Sequence, residues 1–217
     1  MTDFSARRVT MVDTQVRPND VTKFPIIEAM LTIPREDFVP AALREAAYVG
    51  ENLDLGEGRA LLEPRTLAKM LDALALGPGH SVLDLGCGLG YSTAVVARMA
   101  GRVVGVEENA GWAAEARALL AGLAGANATV LAGPIAAGAP KDGPFDAILV
   151  QGAAEVLPEA LEAQLKDGGL IVCLFMEGAL GVCRLGQKVD GKIAWRNIFN
   201  ATAPVLPGFA RKAEFVF

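Results

Sequence analysis

The chain reads as an α/β protein: a mostly parallel sheet with helices on both faces, an antiparallel C-terminal edge and a helical N-terminal extension. Three observations predict it. Short β-type runs alternate with Ala-rich helical runs from residue 81 onward, as in parallel sheets built from strand–helix–strand units. The segment before residue 77 carries apolar residues at helical spacing instead. The last apolar runs leave no room for crossover helices and therefore pair antiparallel at one edge.

In the N-terminal part, Ile26, Ile27, Met30 and Leu31 share one face of a helix that Pro34 closes. A second helix over Thr66–Leu76 places Leu67, Met70, Leu71 and Leu74 together, entered through Pro64 and stopped by Gly77-Pro78-Gly79. The alternating part then reads strand Ser81–Leu85, helix Tyr91–Met99, strand Arg102–Glu107, helix Trp112–Leu123 and a weak strand Thr129–Leu131. A firm strand Phe145–Val150, a helix Pro158–Leu165 and a strand opening at Gly168 follow. The runs 192–199 and 211–217 are the expected antiparallel strands. With 217 residues and no Ser- or charge-rich linker, one domain is expected, divided into an extension (1–76) and a core (77–217).

Composition narrows the function. Hydrophobic residues make up 52% and charged residues 21%, which suits a globular chain. No apolar run approaches the roughly 18 residues of a membrane span, and Met1–Asp20 lacks the apolar core of a signal peptide, so a cytoplasmic location and no membrane partner are expected. The net charge of −5 offers no basic stripe for a phosphate backbone, and no nucleic-acid partner is expected. Cys87, Cys173 and Cys183 form no CxxC pair and read as reduced thiols. The single histidine, His80, reads as a turn residue; no metal site is expected.

The chemistry concentrates at Asp84-Leu-Gly86-Cys-Gly88-Leu-Gly90, which leaves the first strand of the core and opens a helix. An open α/β sheet binds ligands at such a strand end. The glycines admit close approach of a ligand to backbone amides. In a dinucleotide fingerprint the third glycine falls three residues after the second. Here it falls after two, with Tyr91 where that glycine would stand. Asp84 suits a positively charged amino group and would repel a pyrophosphate. The next strand ends in Glu107-Glu108, where a carboxylate can accept both ribose hydroxyls of an adenosine. Together these features predict an S-adenosylmethionine site on a Rossmann-like sheet of the class I methyltransferase type. Gly133 and Gln151, at the following strand ends, complete the expected cofactor wall.

Over most of its length the chain resembles the protein-L-isoaspartate O-methyltransferase family. The resemblance is carried by Met11-Val12, Gln15-Val16, Ile27–Met30, Ile33-Pro-Arg-Glu-Asp-Phe-Val-Pro40, Ala47-Tyr48, the Gly56-Glu-Gly58 turn, Pro144–Ala154 and Leu161…Gln164–Leu170. It implies methyl transfer from S-adenosylmethionine to the α-carboxylate of L-isoaspartyl residues in damaged proteins. It also implies a protein or peptide substrate and no metal; a monomer or weak dimer is expected. The family's Thr-Ile-Ser-Gln-Pro segment is here Ala60-Leu61-Leu62-Glu63-Pro64, so Leu62 takes the Ser position and the hydroxyls are gone. Gly133-Pro134 replaces a Gly-Asp that reaches the adenine. The expected substrate side is Gly58, Arg59, Leu62 and Glu63, with Arg59 either a carboxylate clamp or a solvated loop cation. Three readings stay open: isoaspartyl methylation, the same fold with another acceptor and Glu63 as base, and a non-catalytic module that keeps the cofactor pocket.

Overall fold

A computed structural model describes residues 3–123 and 125–211. The N-terminal part holds α1 (Phe4–Met11), a π-helical continuation over Val12–Val16 and α2 (Phe24–Thr32). Helix α2 ends where Ile33, immediately before Pro34, turns extended (φ −79°, ψ 122°), because the proline ring disfavours helical geometry in its predecessor. A hairpin follows, β1 (Leu53–Gly56) and β2 (Arg59–Leu61), which pair only with each other. Its tip carries three successive positive φ values: 87° at Gly56, 55° at Glu57 and 68° at Gly58. Helix α3 (Pro64–Leu74) stops earlier than its sequence predicts: Ala75 already takes the left-handed conformation (φ 46°), ahead of the Gly-Pro-Gly stretch.

The core begins with β3 (Ser81–Leu85), α4 (Tyr91–Ala97), β4 (Arg102–Glu107), α5 (Ala110–Leu123) and β5 (Ala128–Ala132). It continues with β6 (Phe145–Ala154), α6 (Glu159–Glu162), β7 (Leu165–Glu177), β8 (Leu180–Val189) and β9 (Lys192–Asn200). The seven strands order as β5-β4-β3-β6-β7-β8-β9. The first five are mutually parallel, whereas β7–β8 and β8–β9 are antiparallel, which makes the expected C-terminal edge. Strand β8 was not anticipated. Its polar and glycine-containing sequence, Leu-Gly-Val-Cys-Arg-Leu-Gly-Gln-Lys-Val, hides the alternation by which Gly181, Cys183 and Leu185 are buried while Val182 and Arg184 are less so. The run proposed at 211–217 lies, beyond Arg211, outside the described residues.

Strict alternation sends neighbouring residues to opposite faces of the sheet. Val82, Val103, Val130, Leu149, Val172 and Cys183 join one cluster, with α3, α4, α5 and the N-terminal helices packed over it. Leu83, Val104, Ile148, Ile171 and Cys173 join the other. Helices were expected on both faces, but the second face is covered by little more than the four-residue α6, the turn Ile135–Ala137 and the tail residues Leu206 and Phe209. The connections there are rich in Gly and Pro (Gly133-Pro134, Gly138, Pro140, Gly143-Pro144), which denies them a longer helix. No helix among the described residues is long and apolar enough to cross a membrane.

All three cysteines are free and buried, and Cys173 and Cys183 belong to clusters on opposite faces of the sheet. Burial pushes the Cys183 thiol up to about 12 and raises those of Cys87 and Cys173 as well. None is therefore thiolate at neutral pH. The native protein is expected to resist iodoacetamide at all three positions, and the unfolded protein to take up three labels. Rapid labelling of the native protein, read by intact mass, would contradict this packing.

Candidate cofactor and substrate site

The parallel strands β3, β4 and β6 end side by side, and the chain leaves β3 through the glycine turn. Gly86, Gly88 and Gly90 all hold positive φ (74°, 57° and 94°), which L side chains rarely adopt. Each also faces a different partner. A Cβ on Gly90 would lie 3.1 Å from that of Ala116 on α5, so this glycine brings α4 and α5 together. One on Gly88 would meet Leu55 of the hairpin at 3.4 Å. One on Gly86 would meet Arg59 Nη2 at 2.9 Å and Leu206 at 3.4 Å.

Two carboxylates sit at the strand ends, both fully buried, and they are satisfied differently. Asp84 faces α4: Ser92 Oγ and Thr93 Oγ1 each donate to its Oδ2 at 2.6 Å, and Gln151 Nε2 donates to Oδ1 at 3.2 Å. Its register partner on β4 is Gly105, whose missing side chain leaves room for Thr93. Burial outweighs these hydrogen bonds and raises the Asp84 carboxyl above the ordinary carboxylate range.

Glu107, at the tip of β4, is paired with a cation. Arg59 Nη1 donates to Oε1 at 2.9 Å and Arg59 Nη2 to Oε2 at 3.1 Å, while the same Nη2 donates to the Gly86 carbonyl at 2.6 Å. The backbone amides of Gly88 and Asn109 complete the shell, at 2.8 Å to Oε2 and 3.0 Å to Oε1. Arg59 is thus no solvated loop cation: its side chain is 5% exposed, because the β1–β2 hairpin folds it inward against the sheet edge.

The structure brings Asp84, Gly86, Gly88, Glu107, Gln151 and Arg59 together at the strand ends. Gly133 joins them through its amide, which donates to the Glu107 carbonyl at 3.0 Å. Glu108 is exposed, and Gly58 lies at the exposed hairpin tip. Leu62 is buried in the core, and its carbonyl accepts from Arg35. Glu63 accepts from Thr66 and Arg65 in the first turn of α3 and lines a cleft of about 430 Å³ with Glu51, Asn52 and Thr202. Sequence reasoning missed Leu55, Leu206 and Asn109. Asn109 was legible, since its side chain caps α5 by accepting from the amides of Gly111 and Trp112. Leu206, far along the chain, carries no local signal.

The family model of protein-L-isoaspartate(D-aspartate) O-methyltransferase matches residues 7–200. The chain belongs to this family. A protein-L-isoaspartate O-methyltransferase of Methylorubrum extorquens (strain PA1) is 43% identical over 170 residues, covering 78% of this chain and 74% of the relative. One of Koribacter versatilis (strain Ellin345) is 37% identical over 193 residues, covering 89% and 87%. Among solved structures, a protein-L-isoaspartate O-methyltransferase superposes with a TM-score of 0.80 at 25% identity, covering 93% of this chain and 66% of that one. A family member from Plasmodium falciparum, solved with S-adenosyl-L-homocysteine, gives 0.78 at 20% identity, covering 95% and 99%, and bears on the fold.

Two outcomes follow for the buried acids of this family member. Glu107→Ala strands the Arg59 guanidinium without its partner and is expected to cost about 3–5 kcal/mol of stability, read by urea denaturation. A cost below 1 kcal/mol, roughly that of an exposed pair, would contradict the burial. For Asp84 the raised folded-state value means that its contribution to stability is present below the ordinary carboxylate range and is lost as pH rises through that raised value. Asp84→Asn should therefore gain on the wild type as pH rises above the ordinary carboxylate range. A difference between the two proteins that does not vary with pH would refute the assignment.

Proposed function

We propose that the chain is an S-adenosylmethionine-dependent methyltransferase acting on the free carboxylate of L-isoaspartyl residues in proteins or peptides. The observation that carries this is the meeting of the glycine turn with the buried Glu107 carboxylate, in a chain of this family. The residues fit the cofactor. What stands closest to Gly86 is the end of two flexible side chains, Arg59 and Leu206, rather than backbone. The Glu107 carboxylate suits a vicinal diol, and Asp84 Oδ1, with one donor, keeps an acceptor position for an ammonium group. Gly133 and Gln151 complete the wall. When bound, the cofactor supplies a methyl group on a sulfonium.

The chain's own work is positional. Asp84 ties β3 to α4 and β6 and so sets the angle of the turn. Leu55 and Leu206 cover the turn with apolar surface and exclude water from it. An acceptor carboxylate is nucleophilic as it stands, so no general base is required, and holding it in line supplies the rate. Its binding falls to the hairpin residues Gly58 and Arg59, Arg59 being the cation at the turn. Leu62 offers no donor and Glu63 is engaged in α3. The protein is cytoplasmic in this reading and works as a monomer or weak dimer.

Incubation with methyl-labelled S-adenosylmethionine and an isoaspartyl peptide is expected to place label on the peptide in an alkali-labile form, as befits a carboxyl ester. Alkali-stable label would point to another acceptor. Ala60→Thr, which returns one hydroxyl at the position after Arg59 without disturbing the core, should raise kcat about tenfold or more if that hydroxyl meets the reacting carboxylate. An unchanged kcat would show that Arg59 and backbone groups hold the acceptor without it.

A further inference from the structure

The Arg59–Glu107 ion pair occupies the carboxylate that would receive the cofactor's ribose. A carboxylate offers about four acceptor positions. On Glu107 they are taken by Arg59 Nη1, Arg59 Nη2, the Gly88 amide and the Asn109 amide. A ribose diol needs two of them. The two amides belong to the turn and to the entry of α5, whereas Arg59 comes from a hairpin that pairs only with itself. Arg59 also covers Gly86, and its guanidinium carbon stands 6.0 Å from the centre of the Trp112 ring. Leu55 of the same hairpin lies on Gly88, and Glu57 at its tip accepts from Asn109 Nδ2 at 3.1 Å.

We infer that Arg59 is an internal competitor of the cofactor: its guanidinium stands in for the ribose diol on Glu107 and latches the β1–β2 hairpin over the glycine turn. Cofactor and hairpin claim the same two carboxylate positions, so binding requires the hairpin to release Arg59. The latched state has the means to let go. Arg59 Nε is buried without a hydrogen-bond partner, and the hairpin tip already holds Glu57 at a φ of 55°, unusual for a residue other than glycine. The apparent affinity for cofactor is reduced by the fraction of molecules that are latched. Arg59 thereby sets the cofactor concentration at which the protein loads.

The inference rests on the reading of the turn and Glu107 as the cofactor cradle, and the test separates the two. S-adenosylhomocysteine is titrated calorimetrically into the wild type, Arg59→Met and Arg59→Gln, with the fold of each checked by circular dichroism. Arg59→Met is expected to bind about tenfold tighter or more, because it frees two acceptor positions that the wild type must vacate. Arg59→Gln, which keeps one donor for Glu107, should fall between the two and serves if the methionine variant does not fold. Equal or weaker binding by the variants would overturn the competition and leave the cradle standing. No binding by any of the three folded proteins would overturn both.

Discussion

Glu107 must have its hydrogen-bonding capacity filled where it stands. A carboxylate with no solvent exposure at the end of an interior strand is tolerable only if its acceptor positions are filled. Four groups from three separate segments do this: the Arg59 fork from the hairpin, the Gly88 amide from the glycine turn and the Asn109 amide at the start of α5. One side chain thus fixes the position of the hairpin, the turn and a helix relative to β4. The same convergence makes the site and explains why the hairpin lies over it.

Asp84 shows the alternative solution to the same problem. It lies one strand away, equally buried, and receives only neutral donors: two hydroxyls from α4 and one amide from β6. Neutral donors compensate burial incompletely, and the carboxyl is raised accordingly. The difference divides the labour. Asp84 braces the helix that follows the turn with groups that have no reason to move, whereas Glu107 is held partly by a long side chain on a hairpin that can.

The unequal cover of the sheet fits this arrangement. Helices α3, α4 and α5 and the N-terminal segments all pack on one face, and Asp84, Glu107, Gln151 and the hairpin belong to that face. The other face is sealed by short segments and by the tail. Leu206 of that tail reaches the strand ends, where a Cβ on Gly152 would approach it to 2.5 Å and one on Gly86 to 3.4 Å. A residue from the far end of the chain therefore closes one side of the turn, at an approach that the missing side chain of Gly152 permits.

Local pattern was enough to read the parallel strands, the antiparallel edge at Lys192–Asn200, the amphipathic α2 and α3, and the turn with its acid at the next strand end. Those features depend on side-chain period and on backbone freedom, both of which are written in neighbouring residues. Strand β8 escaped because its pairing with β7 and β9, not its composition, makes it a strand. Leu62 and Glu63 read as substrate residues by their place in a motif, and the tertiary packing turned one into the core and the other into a partner of Arg65 and Thr66. The fate of Arg59 was decided furthest from its own sequence. Nothing within the hairpin calls for a buried arginine. The call comes from a carboxylate 48 residues away, which the sheet brings to the same edge and which cannot be left there uncompensated.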